Sequence, residues 1–318
     1  MTHLPDPTGS RAVLVGVSQY ERMPPDRQLP TVSRGLDRLG ELLCDQRIWG
    51  LPQENCIILH EPVDAEVVVG RLRTAAEEVR DTLVFYYAGH GLVDPALPGD
   101  ELHLALPQAY EPGGTHLALS YAHVRREFNV AARGVRRVVI LDCCWSGLAV
   151  GGMGSDDLAS TAAIEGTGVL TATAATKKAL APPDEQYPAF TGLLIDVLDR
   201  GVAGGTRLLD LATIYRHLSS QLAGKNRPRP QLGGSGEGAQ IPLAWNVAWR
   251  EPAKRRVHAD MTEMVLAFRR AGRYREADEL QRQAAEAGEP SARKNRAMQL
   301  RRSGRYEDAS GLEDTDQQ

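Results

Sequence analysis

Two residues with the chemistry of a nucleophile and a base each follow a short apolar run. His90 comes shortly after Thr82–Tyr87 (TLVFYY), and Cys144 comes shortly after Arg137–Leu141 (RVVIL). A thiol becomes a strong nucleophile once a neighbouring base removes its proton, and the thiolate then attacks a carbonyl carbon. Histidine titrates in the range that this proton transfer requires. The two residue types therefore indicate covalent cysteine chemistry.

The small residues around the two side chains fit the same chemistry. Gly89 and Gly91 flank His90, and glycine lets the backbone turn sharply and lets a substrate approach the amides. An oxyanion formed at the carbonyl needs such N–H donors. A single histidine or a single buried cysteine is more often structural than catalytic. The prediction therefore depends on the pair and on where both members lie.

The remaining cysteines do not indicate a metal site or a disulfide framework. The chain has four cysteines, with no CxxC pair and no Cys/His spacing suited to zinc. Adjacent Cys143 and Cys144 would form a strained ring if they were bridged. Residues 1–10 lack a basic segment followed by an apolar one, so no secretory signal is expected. A reducing, cytoplasmic location and free thiols are the expectation.

The elements that must position these residues alternate between strands and helices. Strands are predicted at 11–17, 56–59, 82–87, 102–106, 137–141 and 168–175, and helices at 31–43, 64–80, 121–132 and from 191 to 198. The stretch 225–238 is rich in Pro and Gly and is predicted as an excursion before an apolar run at 241–245. This order favours a mainly parallel sheet between two layers of helices.

In such sheets, ligands bind beyond the carboxyl ends of the strands. Both His90 and Cys144 fall at predicted strand carboxyl ends. This shared position is the main structural argument for an active site.

Composition limits the partners. The chain has 318 residues, enough for one domain of about 250 residues and an appendage. Its net charge is -4, from 37 basic and 41 acidic residues, so no general field attracts nucleic acid or an anionic membrane. No apolar run approaches the roughly 20 residues that span a bilayer. We expect neither nucleic acid nor membrane as a partner.

The last part of the chain differs in composition. From about residue 253 it is rich in Arg, Ala and Glu, which predicts a main domain at 1–250 and an α-helical tail at 251–318. Within the tail, Arg269–Ala277 is echoed by Arg301–Ala309 at an offset of 32 residues. This spacing resembles that of tetratricopeptide repeats, of which about three are needed to stand alone. We interpret the tail as helical hairpins that dock on the main domain, a regulatory partner or another copy; a charged helix pair without a specific role is the alternative.

Two motifs carry a family resemblance. Tyr86–Gly91 (YYAGHG) resembles the Y-x-[SA]-G-H-G motif of the caspase and metacaspase superfamily, and Asp142–Gly147 (DCCWSG) resembles its D-[SC]-C-x-S-G motif. The histidine precedes Cys144 by 54 residues, against roughly 50 in caspases. The resemblance covers about residues 11–248 and looks closest to the stand-alone caspase-like proteins of bacteria. It implies a caspase-like three-layer fold and a cysteine endopeptidase with a protein substrate, in bacterial defence or regulated death.

The resemblance also assigns roles to individual residues. It makes Cys144 the nucleophile, with Cys143 at the variable preceding position as the alternative, and His90 the general acid and base. The backbone amides of Gly91 and Cys144 would form the oxyanion hole.

The resemblance is less complete at the substrate pocket. Asp142 matches an acid that helps metacaspases to line a pocket for a basic side chain. Ala88 stands in this pocket region where metacaspases usually have a small polar residue, and Trp145 replaces a frequent histidine. A second pocket acid has no counterpart. A preference for Arg or Lys before the scissile bond is thus an expectation that rests on Asp142.

Two expectations remain. Some metacaspases bind calcium, and Asp156 with Asp157 is the candidate pair here, but two exposed acids are normally only solvated. We expect no metal and no cofactor. The alternative function is a catalytically silent caspase-fold scaffold or sensor that recruits partners through its tail. The intact histidine and cysteine favour the enzyme.

Overall fold

The computed structural model of the chain describes residues 3–93, 101–110, 113–131, 134–144, 167–172, 185–234, 237–250, 263–286, 290–302 and 304. The chain forms two compact units, Met1–Trp249 and Arg250–Gln318, which are described separately.

The strands of the first unit, in chain order, are β1 (Arg11–Gly16), β2 (Cys56–His60), β3 (Thr82–Ala88), β4 (Gly91–Val93), β5 (Leu102–Leu104), β6 (Leu119–Ser120), β7 (Arg136–Asp142), β8 (Thr167–Thr171), β9 (Leu208–Asp210), β10 (Gln231–Gly234) and β11 (Pro242–Trp245). Its helices are α1 (Thr31–Cys44), α2 (Ala65–Glu78), α3 (Tyr121–Phe128), α4 (Ala189–Arg200) and α5 (Leu211–Gly224).

The main sheet has six strands in the order β10-β8-β7-β3-β1-β2. Strands β2, β1, β3, β7 and β8 pair in parallel, and β10 is antiparallel at one edge. Strand β2 lies on one side of β1, and the chain then crosses over to form β3 on the other side of β1. The strand order therefore reverses between β1 and β3, the place where open α/β sheets bind ligands.

The sheet is buried on both faces because its central strands are apolar throughout. All seven residues of β3 are buried, and successive side chains point to opposite faces. Phe85 and Tyr87 join the cluster that includes residues of α2 and α3, whereas Val84 and Tyr86 join the cluster that includes residues of α1, α4 and α5. The predicted arrangement, a mainly parallel sheet between two helical layers, is confirmed.

Several sequence predictions differ from the structure. The strand predicted at 168–175 ends at Thr171, and residues 173–175 lie outside the described residues. The helix predicted to reach Ala132 ends at Phe128, and the chain then turns toward β7. The buried Arg137 guanidinium holds this turn, since it donates to the carbonyl oxygens of Phe128 at 2.9 Å and Ala131 at 3.0 Å. The Pro/Gly-rich stretch 225–238 contains strand β10, which the sequence did not indicate because two of its four residues are glycines.

Two smaller sheets complete the unit. Strands β4, β5 and β6 form one of them, and β4 begins at Gly91, directly after His90. Strands β9 and β11 pair antiparallel, so the predicted apolar run at 241–245 is a strand.

The second unit contains helices α6 (263–270), α7 (Tyr274–Glu286) and α8 (Pro290–Arg302). Helices α6 and α8 are each followed by a glycine with positive φ, Gly272 (74°) and Gly304 (78°). These glycines occupy equivalent places in the two echoing stretches of sequence. Residues 303 and 305–309 of the second stretch lie outside the described residues. In the parts of the chain that the structure describes, no helix is long and apolar enough to cross a membrane.

Candidate active site

The register of the main sheet places the two candidate catalytic residues at neighbouring strand ends. Ala88 of β3 is paired with Asp142 of β7, so His90 and Cys144 each lie two residues beyond this pair. The pairing continues past the strands, because the Gly89 N–H donates to the Asp142 carbonyl at 3.2 Å. Adjacent parallel strands therefore deliver both residues to the same edge of the sheet.

His90 is held through its backbone and its ring. Its N–H donates to Tyr20 Oη at 2.7 Å, and its carbonyl oxygen lies 3.0 Å from Tyr87 Oη. The same carbonyl accepts from the Ala105 N–H at 2.9 Å. The imidazole packs on the Tyr20 ring with 4.7 Å between centroids, and its Nε2 lies 2.7 Å from the Arg27 carbonyl oxygen.

The contact with Arg27 decides which imidazole nitrogen carries the proton. A carbonyl oxygen can only accept a hydrogen bond, so Nε2 must be the donor. In the neutral ring, Nδ1 is then the basic nitrogen. The neutral ring is thus the Nε2–H tautomer, with Nδ1 unprotonated.

The two adjacent cysteines have different surroundings. Cys143 is 0% exposed, and burial raises the pKa of its thiol well above the usual range. Cys144, just beyond the end of β7, is only partly buried. A buried thiol with a raised pKa is a poor nucleophile, which favours Cys144 over the alternative Cys143.

Gly91 packs against the backbone of Cys144 at the junction of β3 and β4. A Cβ atom at Gly91 would lie 1.9 Å from the Cys144 carbonyl oxygen and 3.3 Å from Cys143 Sγ. Only glycine allows this approach. The backbones whose amides were predicted to form the oxyanion hole are therefore in contact, although the hole itself stays a prediction.

Asp142 lies beneath this edge of the sheet with its carboxylate engaged. The side chain is 4% exposed, and Oδ2 accepts from the Thr191 N–H at 3.1 Å and from Thr191 Oγ1 at 2.5 Å. Since Thr191 Oγ1 donates its proton to Asp142, it accepts from Tyr86 Oη at 2.5 Å. Burial raises the pKa of Asp142 to about 6, although the two bonds from Thr191 act to lower it.

This environment bears on the predicted substrate pocket. Thr191 lies in the first turn of α4, where unpaired N–H groups favour a negative charge. Ala88, 1% exposed, is the register partner of Asp142. The carboxylate therefore has a structural partner within the protein, and its role toward a substrate stays a prediction.

Some predicted residues cannot be placed. Trp145, Ser146 and Gly147 of the cysteine motif and the candidate calcium pair Asp156 and Asp157 lie outside the described residues. Within the residues that are described, no group of three or more His, Cys, Asp or Glu side chains could hold a metal ion.

The sequence did not single out the residues that hold His90. Tyr20, Arg27 and Gln28 lie in segment 18–30, and Tyr87 was interpreted as part of a strand and of the histidine motif, without a role for its hydroxyl. The available signal was position, because segment 18–30 follows the carboxyl end of β1, beside β3. The contacts themselves come from residues 63 and 70 positions apart.

Comparisons with known proteins agree with the motifs. A family model described as "Caspase domain" matches residues 10–251. The fold is similar to that of protein GSU0716 from Geobacter sulfurreducens, with a TM-score of 0.50 and 15% identity over 73% of this chain and 96% of that one. Caspase-1 from Spodoptera frugiperda is similar with a TM-score of 0.49 and 10% identity over 77% of this chain and 86% of that one. No curated protein matches the chain.

Proposed function

Since this chain belongs to the caspase domain family, we propose that it is a cysteine endopeptidase with Cys144 as nucleophile and His90 as general acid and base. The observation that carries the proposal is the register of β3 and β7. It brings the ends of the two motifs together and packs Gly91 on the Cys144 backbone.

The reaction follows from the tautomer of His90. Nδ1 takes the proton from Cys144 Sγ, and the thiolate attacks the peptide carbonyl carbon to form a C–S bond. The oxyanion accepts hydrogen bonds from the backbone amides of Gly91 and Cys144. One such donor is typically worth a factor of about 100 to 1,000 in rate.

The second half of the reaction returns the enzyme to its starting state. The C–N bond breaks, and the leaving amine takes the proton from the His90 imidazolium. Water then attacks the thioester while His90 accepts a proton from it. The departing Cys144 thiolate regains that proton, so no external acid, base or oxidant is consumed.

We propose Arg or Lys as the preferred residue before the scissile bond. The support is Asp142, a carboxylate at the base of this edge that carries its charge above about pH 6. A basic side chain would compensate this buried charge by a charge-assisted hydrogen bond. Binding would add a cationic partner to the carboxylate that Thr191 already engages.

The setting is proposed from the resemblance. The enzyme acts on a protein substrate in the cytoplasm, in a bacterial defence or regulated-death pathway, and its helical tail captures a regulatory partner. The alternative is a catalytically silent scaffold or sensor that recruits partners through the same tail. The alternative has no use for a histidine and a half-buried cysteine that follow two adjacent strand ends.

A covalent probe tests the proposal. A peptide acyloxymethyl ketone ending in Arg or Lys should label the wild type and Cys143→Ala, but not Cys144→Ala, as read by intact mass. His90→Ala should label far more slowly, because members of a nucleophile–base unit fail together. Cleavage of a positional-scanning peptide library by the purified wild type identifies the side chain that is preferred before the scissile bond.

Each outcome has a definite meaning. Equal loss of labelling in Cys143→Ala and Cys144→Ala would show that the nucleophile is misassigned. A wild type that neither labels nor cleaves any library peptide would favour the silent scaffold. Cleavage after residues other than Arg and Lys would contradict only the proposed role of Asp142 in binding a basic side chain, and not the assignment of Cys144 and His90.

A further inference from the structure

Residues 18–30, here called the 18–30 loop, contact His90 at two separate points. Tyr20 provides a hydroxyl acceptor for the His90 N–H and a ring that packs on the imidazole. Arg27 provides the carbonyl oxygen that binds Nε2. The two contacts are seven residues apart in the loop, so the ring is held correctly only if the loop keeps its shape.

One side chain joins the two halves of this loop. Gln28 Oε1 accepts from the Tyr20 N–H at 2.7 Å, and Gln28 Nε2 donates to the carbonyl oxygens of Tyr20 and Met23, each at 3.0 Å. With a longer contact from Nε2 to the Pro24 carbonyl oxygen at 3.4 Å, this single amide binds four backbone groups between Tyr20 and Pro24, while its own backbone directly follows Arg27. Both donor and acceptor capacity of the amide are used.

The base of the loop is closed independently. The Leu29 N–H donates to the Ser18 carbonyl at 2.8 Å. Glu61, at the end of β2, accepts from the Ser18 N–H at 2.8 Å and from Ser18 Oγ at 2.6 Å. The ends of the loop are thus fixed to the sheet without Gln28. Between them, the Glu21 N–H donates to the Pro107 carbonyl at 2.8 Å, and the Gln28 amide joins the backbone of Tyr20 to the residues beside Arg27.

We propose that Gln28 and Tyr20 are positioning residues that hold His90 as the Nε2–H tautomer with Nδ1 directed to its catalytic task. This inference deepens the proposed function and rests on it. Gln28 places Tyr20 and Arg27 at a set separation, and the imidazole fits between the Tyr20 ring and the Arg27 carbonyl. Without Gln28 the Arg27 carbonyl moves from Nε2, and the ring is free to exchange tautomers and to rotate.

The test reads the imidazole directly. In protein with ¹⁵N-labelled histidine, the Nδ1 and Nε2 chemical shifts of His90 report its tautomer, and the spectrum of His90→Gln identifies its signals among the eight histidines. The wild type should show the Nε2–H form. Gln28→Met, which keeps the length of the side chain but removes its hydrogen bonds, should shift His90 toward a mixture of tautomers.

A matched substitution in the same loop is the control. Gln19 is exposed, and Gln19→Met should leave the His90 shifts as in the wild type. Tyr20→Phe keeps the ring but removes the hydroxyl that accepts from the His90 N–H and donates to the Val17 carbonyl, so it should also move the His90 signals. This second variant decides the question if Gln28→Met does not fold.

A kinetic readout separates positioning from general damage. If turnover is measured, Gln28→Met should lower kcat about tenfold or more with little change in KM, because small misplacements of a catalytic group are costly. The rate of Cys144 alkylation by iodoacetamide, read on its own peptide by mass spectrometry, should fall in parallel.

The outcomes distinguish the two proposals. A folded Gln28→Met or Tyr20→Phe protein with wild-type His90 shifts, or a wild type with the Nδ1–H tautomer, would overturn the positioning role. If the His90 chemical shifts are displaced in these variants but the wild type has no peptidase activity, the positioning role is upheld and the proposed function is refuted.

Discussion

At the scale of single residues, the Asp142 carboxylate reduces the stability of the fold whenever it is ionised. Burial raises its pKa from the ordinary 3.8 to about 6, so the folded protein binds this proton more tightly than the unfolded chain does. The contribution of the protonated Asp142 to the stability of the fold is fully present below about pH 4 and is lost as the pH rises through 6. A shift of this size corresponds to about 3 kcal/mol.

Asp142→Asn should therefore change the pH dependence of stability. Because asparagine does not titrate, the free energy of unfolding of the variant should rise relative to that of the wild type by about 3 kcal/mol between about pH 4 and pH 7. Urea unfolding of both proteins across this range measures the difference.

Asp45 supplies the control with the opposite sign. Its pKa is lowered to about 2, mainly by hydrogen bonds from the side chain and backbone of Arg47. Its contribution is therefore present above the unfolded pKa and is lost only as the pH falls toward 2. Between about pH 5 and pH 7, the free energy of unfolding of Asp45→Asn should change with pH as that of the wild type does. If Asp142→Asn also followed the wild type, the raised pKa of Asp142 would be contradicted.

At the scale of elements, the site depends on how closely the start of β4 approaches the end of β7. The contact between Gly91 and the Cys144 carbonyl has no room for a side chain. Strand β4 turns away immediately after His90 and pairs with β5, so two sheets meet at the edge that carries the candidate site. The position of the Cys144 backbone thus depends on an element outside the main sheet.

Gly91→Ala is the substitution that tests this approach. The new Cβ would overlap the Cys144 carbonyl oxygen at 1.9 Å, so one of the two backbones must move and the proposed oxyanion donors separate. We expect labelling by the acyloxymethyl ketone to fall by about 100-fold or more, the size typical for loss of such a donor. Labelling at the wild-type rate would show that the amides are not used.

Gly70→Ala is the matched control. Gly70 lies in α2, and a Cβ there meets no atom within 4 Å. Alanine should raise the free energy of unfolding by up to about 1 kcal/mol, because it restricts the unfolded chain and favours helix. Labelling of Cys144 should be unchanged in this variant.

At the scale of the whole molecule, each unit has its own packed residues. The two large hydrophobic clusters take their buried residues from positions 12 to 244, whereas the small clusters take theirs from 284 to 300. Among the described residues, the tail contributes nothing to the core around the site. The proposed catalysis and the proposed partner capture therefore fall in different units.

A truncated chain that ends at Trp249 should therefore fold and should label with the probe at close to the wild-type rate. Circular dichroism with thermal unfolding, followed by intact mass after labelling, measures both. A chain that ends at Gly238 is the control, because it lacks the buried Leu243 and Ala244 of β11 and should not fold. An unfolded protein that ends at Trp249 would mean that the tail completes the core.

The central elements were predictable because their pattern is local. The continuous apolar run of β3 and the helical spacing of Leu36, Leu39 and Leu43 in α1 indicated these elements directly, and the structure has them within one or two residues. Strands β4, β9 and β10 have three or four residues each and were not predicted. A segment that short carries too few side chains to show a period.

The sequence by itself determined that a histidine and a cysteine stand at the ends of two strands of a mainly parallel sheet, because strand ends and residue types are local features. Only the tertiary structure decided that β1 lies beside β3, and so that Tyr20 and Arg27 enclose His90. It also decided that Asp142 is paired with Thr191 inside the protein. These contacts join residues 49 to 70 positions apart, and such pairings depend on how the whole chain packs.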